Sequence, residues 1–113
     1  MADGDDVDVV DILGDDYAKT ILVHAREEPK SVQALSDACE ADPSTIYRRV
    51  ERLTEADLLT DHQHLDPDGH HHKVYATQLQ EVRIRLGDDG YVVEIDRSEP
   101  AADRFTRLYE GFK

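Results

Sequence analysis

The sequence predicts a single α+β domain: a helical first half, two β-hairpins and a closing helix. Three observations carry that expectation. Residues 31–56 repeat apolar side chains at helical spacing on either side of a short polar break. Two pairs of strand-like runs follow, each pair joined by a Gly-containing turn. The length of 113 residues is enough for one core, and residues 1–113 are read as one unit.

Residues 7–13 form a short apolar segment that ends at Gly14, a natural residue to follow a helix. Asp15 or Asp16 can cap the next helix, DYAKTILVHARE, where Tyr17, Ile21 and Ala25, with Leu22 beside them, make one apolar face. Pro29 stops it. Ser31 is a good N-cap for a third helix, with Val32, Leu35 and Ala38 spaced for burial. Cys39, Glu40 and Ala41 make the turn. Asp42 and Pro43 restart the chain, Asp as N-cap and Pro at the first helical position, where its missing N–H costs nothing.

The fourth helix, 43–56, divides its side chains by direction. Ile46, Val50 and Leu53 recur at i, i+4 and i+7 and should face the core. Ser44, Tyr47, Arg48, Glu51 and Arg52 fall on the opposite arc, with Thr45 and Arg49 towards its edges. The helix should end near Ala56 and Asp57; Asp tolerates the left-handed conformation better than most residues. Together, 31–56 read as two helices and a tight turn, the second helix bearing Ser, Thr, Tyr and Arg outwards. That arrangement is used to place a helix in the DNA major groove.

Strands are expected at 58–65 and 73–78, joined by DPDG at 66–69 with Pro in the second position of the turn. The hairpin 58–78 follows the second helix of the motif directly. A second hairpin spans 80–96. An Asp88-Asp89 tip pairs Leu86 with Tyr91, Ile84 with Val93, Val82 with Ile95 and Arg83 with Glu94. Apolar pairs then share one face and opposite charges meet on the other. Ser98 can cap a final helix over 98–112, with Ala101, Phe105, Leu108, Tyr109 and Phe112 on one stripe.

Charge is the puzzle. There are 26 Asp and Glu against 13 Lys and Arg, a net charge of −13. DNA-binding proteins are usually basic, because phosphate contacts and counterion release supply much of their affinity. The distribution softens the objection. Residues 1–16 carry seven Asp and no Lys or Arg, whereas 30–56 carry Lys30, Arg48, Arg49 and Arg52 against five acids. The Asp-rich, Lys-poor bias is that of a salt-adapted protein. In molar salt the Debye length is about 3 Å, so long-range repulsion nearly vanishes while contacts at hydrogen-bond distance survive. The single cysteine, Cys39, excludes an internal disulfide framework and fits a reducing cytosol. The acidic N-terminus does not read as a signal peptide, and no apolar run approaches a membrane span. A cytoplasmic protein is expected.

The residues also carry a resemblance. PKSVQALSDACEADPSTIYRRVERLTEADLL resembles the helix-turn-helix of ArsR-like winged-helix transcription regulators, in the small acidic type found in halophilic archaea. DDYAKTILVHAREEP is similar to the preceding helix and DPDGHHHKVYA to the wing, so the likeness covers about residues 7–96. Asp57 stands where glycine is usual. The resemblance implies a winged helix-turn-helix, here with an additional β-hairpin and a C-terminal helix. It also implies a homodimer on pseudo-palindromic promoter DNA. Metal-sensing members use cysteine pairs; this chain has Cys39 alone, so that role does not carry over.

Arg48 is the best candidate for a bidentate contact to guanine, and Arg49 and Arg52 for phosphates. Ser44, Thr45 and Tyr47 can touch backbone or thymine methyl groups. Lys30 and Lys73, with His70, His71 and His72 of the wing, complete the candidate DNA-binding set. The alternative is a solvated face with salt bridges such as Arg48 to Glu51 and Arg52 to Glu55. The wing histidines allow three readings: contact to phosphate or the minor groove, simple solvation, or a zinc, nickel or copper site using His62, His64, His70 and His72. No cofactor is otherwise expected. Phe105, Leu108, Tyr109 and Phe112 are candidate dimerisation residues. No Ser/His/Asp arrangement, phosphate-cradling glycine loop or paired-cysteine zinc pattern points to an enzyme. A DNA-binding regulator is the first expectation. A protein–protein module on the same fold and a histidine-dependent metal-responsive regulator are the alternatives.

Overall fold

The computed structural model describes residues 4–97, with side chains from residue 8. Four helices lead into four strands: α1 (Gly4–Leu13), α2 (Asp16–Glu27), α3 (Val32–Cys39), α4 (Pro43–Glu55), β1 (Leu59–Leu65), β2 (His71–Thr77), β3 (Leu79–Gly87) and β4 (Gly90–Arg97). This is the expected α+β winged helix-turn-helix with an additional hairpin. The C-terminal helix read at 98–112, and with it Phe105, Leu108, Tyr109 and Phe112, lies outside the described residues.

The helix boundaries follow local chemistry. Asp15 caps α2 by accepting from the Ala18 N–H at 2.9 Å, and Ser31 caps α3 by accepting from the Ala34 N–H at 3.1 Å. Asp42 precedes α4 in extended conformation with Pro43 at the start, but its carboxylate gives no cap to the backbone; it accepts instead from the Ser44 hydroxyl. Gly14 is not left-handed. The chain passes from α1 to α2 through a tight turn in which the Gly14 N–H reaches the Asp11 carbonyl at 3.1 Å, and so short a link needs no positive φ.

Two acidic residues take the conformation that glycine would adopt at least cost. Glu40 (φ 52°) ends α3 and Asp57 (φ 61°) follows α4. At each end a paired return closes the helix: the Ala41 N–H to the Ser36 carbonyl at 3.1 Å, and the Leu58 N–H to the Leu53 carbonyl at 2.9 Å. Asp57 was the expected position; Glu40 carries no sequence signal for it.

The core gathers the inward faces of the helices and the root of the sheet. Ile46, Val50 and Leu53 of α4 meet Ile21, Leu22 and Ala25 of α2, Leu35 of α3, and Leu58, Leu59 and Tyr75. Full burial of each aliphatic side chain contributes about 1.5–3 kcal/mol. Tyr17 packs half-buried against this core, and Ala18 takes the deeper place on α2. One residue departs from the spacing. Ala38 is exposed, and Ser36 is buried in its stead. The α3 helix turns its Leu35–Ser36 flank inwards, where a small side chain lets neighbouring helices approach.

The strands form two separate antiparallel pairs, β1 with β2 and β3 with β4. Lys30 adds a short third rung to the first pair: its N–H reaches the Tyr75 carbonyl at 2.9 Å, and its carbonyl receives the Tyr75 N–H at 2.7 Å. The buried Thr77 hydroxyl donates to the Leu22 carbonyl at 2.7 Å, pinning β2 to α2. The joint between the hairpins is tied to the end of α4. The Asp57 carbonyl accepts from Gln78 Nε2 at 2.6 Å and Arg97 Nε at 3.0 Å, and the Ala56 carbonyl from Arg97 Nη2 at 2.9 Å. A guanidinium there also suits the negative end of the helix dipole.

Candidate nucleic-acid interface

The outward arc of α4 is the candidate reading surface. Pro43 starts the helix, and Ile46, Val50 and Leu53 lock its rotation by burial. That rotation turns Ser44, Tyr47, Arg48, Glu51 and Arg52 to solvent and leaves Thr45 and Arg49 at the margins, as the spacing predicted. Tyr47 is 49% exposed. Among the described residues, neither the Arg48 nor the Arg52 side chain makes a hydrogen bond or ion pair, so the salt bridges to Glu51 and Glu55 do not form.

Arg49 behaves differently. Its Nε donates to Asp15 Oδ2 at 3.1 Å, and its guanidinium carbon stands 5.8 Å from the Tyr17 ring centre. The same Asp15 oxygen caps α2. Arg49 therefore braces α4 against the start of α2. The pairing spans 34 positions and no local pattern announces it. Ser44 is held by Asp42, and Lys30 Nζ lies 2.9 Å from Glu28 Oε1.

The wing begins immediately after α4. Its β1–β2 ladder pairs Leu59 with Thr77 through to Leu65 with His71. The DPDG turn closes with the Gly69 N–H donating to the Asp66 carbonyl at 2.9 Å, and Gly69 takes φ 85°, the left-handed side that glycine favours. An open cleft of about 350 Å³ lies between α4 and the wing, lined by Tyr47, Glu51, Glu55, Asp61, Lys73 and Tyr75. Lys73 Nζ is 3.6 Å from Asp61. Burial pushes the Tyr75 phenol above its ordinary range, with the Lys73 charge opposing the shift. Glu51, Glu55 and Asp61 beside Lys73 make this cleft acidic on balance, a feature that ranking residues by positive charge passes over.

The histidines separate. His70 lies outside the strand, and His71 sits opposite Leu65. His64 and His72 are direct cross-strand partners with ring centres 5.0 Å apart. Both approach Asp66, His64 Nε2 at 3.4 Å and His72 Nδ1 at 3.6 Å. His62 turns instead to the Thr60 hydroxyl at 3.1 Å. Among the described residues no group of three or more His, Cys, Asp or Glu side chains is arranged to hold a metal ion. Cys39 is half-buried, and burial, followed by the nearby Asp15 charge, raises its thiol above the ordinary value. That disfavours the thiolate that binds metals.

No helix among the described residues is long and apolar enough to cross a membrane. No curated protein matches the chain. The family comparison finds a match that takes in α2, α3, α4 and the start of the wing: residues 8–62 fit the family model of a helix-turn-helix domain, found in ArsR-type regulators.

Proposed function

We propose that this chain is a sequence-specific DNA-binding transcription regulator that lays α4 in the major groove and its wing along the backbone or minor groove. One observation carries the reading. Carboxylates outnumber basic side chains two to one, 26 against 13, yet Arg48 and Arg52 stand on the open face of α4 without an acidic partner among the described residues. Arg48 is the base-reading residue and Arg52 a phosphate contact. Tyr47, Ser44 and Thr45 touch backbone or thymine methyl groups, and Lys73 with His70–His72 serve the wing. Arg49, Lys30 and Lys73 contribute only if they leave Asp15, Glu28 and Asp61. Helix-turn-helix domains are typically non-enzymatic.

The acidic composition supports a salt-adapted, cytoplasmic protein that binds DNA in molar salt, where Glu51, Glu55 and Asp61 repel phosphate only at short range. Selection from randomised duplex DNA at about 2 M KCl tests the reading. An enriched sequence that is lost with Arg48→Ala supports it; no enrichment by the folded protein refutes it.

A further inference from the structure

The second hairpin carries an uncharged stretch on one face. Val82, Ile84 and Leu86 of β3 pair with Ile95, Val93 and Tyr91 of β4, all six uncharged in a chain that is 35% charged. The root of this face is used by the fold: Val93 is buried, and Val82 and Ile95 pack on the core. The distal half has no cover among the described residues. Ile84 is 51% exposed, Leu86 71% and Tyr91 66%. The opposite face carries Arg83 bonded to Glu81, Glu94 and Asp96, the hydrogen bond to Glu94 leading in raising its affinity for the proton.

We infer that Ile84, Leu86 and Tyr91 are the dimer interface, covered by the same face of a second copy in antiparallel orientation. Charge selects both partner and direction. Two copies with a net charge of −13 approach most easily where neither presents a charge. A parallel approach would bring the Asp88-Asp89 tips together. An antiparallel, two-fold approach moves each tip towards the other copy's hairpin base. There Arg26 donates to the Leu79 carbonyl at 3.3 Å and Arg97 to the carbonyls of Ala56 and Asp57, so neither guanidinium is neutralised by a carboxylate in these bonds. Tyr91 provides a broad apolar ring with a hydroxyl that can stay wet at the rim. The contact is isologous: each residue meets its counterpart's neighbours across the axis. This inference needs nothing from the DNA-binding reading.

Sedimentation of the full chain at about 2 M KCl, where charge repulsion is screened, tests it. Wild type is expected to be a dimer, and Leu86→Asp/Tyr91→Asp a monomer with unchanged circular dichroism. Should that variant unfold, Ile84→Cys in a Cys39→Ser background serves as the second test, with oxidation expected to trap a cross-linked dimer. A monomeric wild type overturns the proposal. So does a folded Leu86→Asp/Tyr91→Asp protein that remains dimeric, which would place the interface elsewhere, for example on the 98–113 segment. Arg48→Ala is expected to stay dimeric, so the interface and the DNA-reading helix can fail independently.

Discussion

The two hairpins share an architecture and differ in chemistry. Each is a two-stranded antiparallel pair rooted at the C-terminal end of α4, and the Asp57 carbonyl is bonded from the link between them and from the last residue of the second. The first carries polar or ionisable side chains on both faces towards its tip: Asp61, Gln63 and Lys73 on one, His62, His64 and His72 on the other. The second is sorted, with a charged face held by Arg83 and an apolar face whose outer half has no cover among the described residues. A polar surface beside a helix with unpaired arginines suits a hydrated, charged partner. A charge-free face suits a protein.

The largest effect that sharpens this contrast concerns the helix beside the wing. Arg48→Ala should weaken binding to a selected site by about 1–3 kcal/mol, read by fluorescence anisotropy, and leave stability nearly unchanged because its side chain is exposed and unpaired. The next effect lies within the second hairpin. Val93→Ala, at the buried root of the apolar face, should cost about 2 kcal/mol in denaturant unfolding. Leu86→Ala, on the exposed half, should change protomer stability by less than about 0.5 kcal/mol. Equal costs would mean that the outer half is packed within the protomer, and the contrast between the hairpins would fail.

A smaller effect concerns the joint that both hairpins use. Asp57→Gly should stabilise the chain by about 0.5–1 kcal/mol, because the left-handed conformation at φ 61° is strained for a residue with a Cβ. A loss of stability would show that the Asp side chain holds something more than the turn. The smallest effect is remote from both hairpins. The Cys39 thiol is raised above its ordinary value by burial and then by Asp15. Its contribution is therefore intact below the ordinary thiol range and fades as pH rises through the folded-state value. Thermal melts should show wild type losing stability in alkali slightly faster than Cys39→Ser; parallel curves would remove the effect.

Much of this molecule was legible in the sequence, for identifiable reasons. Helical spacing placed Ile46, Val50 and Leu53 inside, and the side chains facing outwards followed from geometry. The Asp88-Asp89 tip fixed every rung between Val82 and Ile95. Ser31 and Pro43 were readable, and the α2 cap was narrowed to Asp15 or Asp16, because capping is local. Long-range chemistry was less accessible. The Arg49–Asp15 pair joins helices far apart in sequence, and nothing near Arg49 distinguishes it from Arg48. The meeting of His64 and His72 over Asp66 depends on register and turn together. Alternation identified the apolar face of the second hairpin, but how far the core extends along it could be known only from packing.

The central claim is that the two halves of the surface serve different partners, and one binding experiment addresses it directly. The selected DNA is prepared as a full inverted repeat and as a single half-site, and each is titrated with wild type, Arg48→Ala and Leu86→Asp/Tyr91→Asp at about 2 M KCl. Wild type should prefer the full repeat, Arg48→Ala should lose both DNAs, and the hairpin variant should keep the half-site while losing its preference for the repeat. A hairpin variant that binds the full repeat as tightly as wild type, or an Arg48→Ala protein that binds unchanged, would contradict the account.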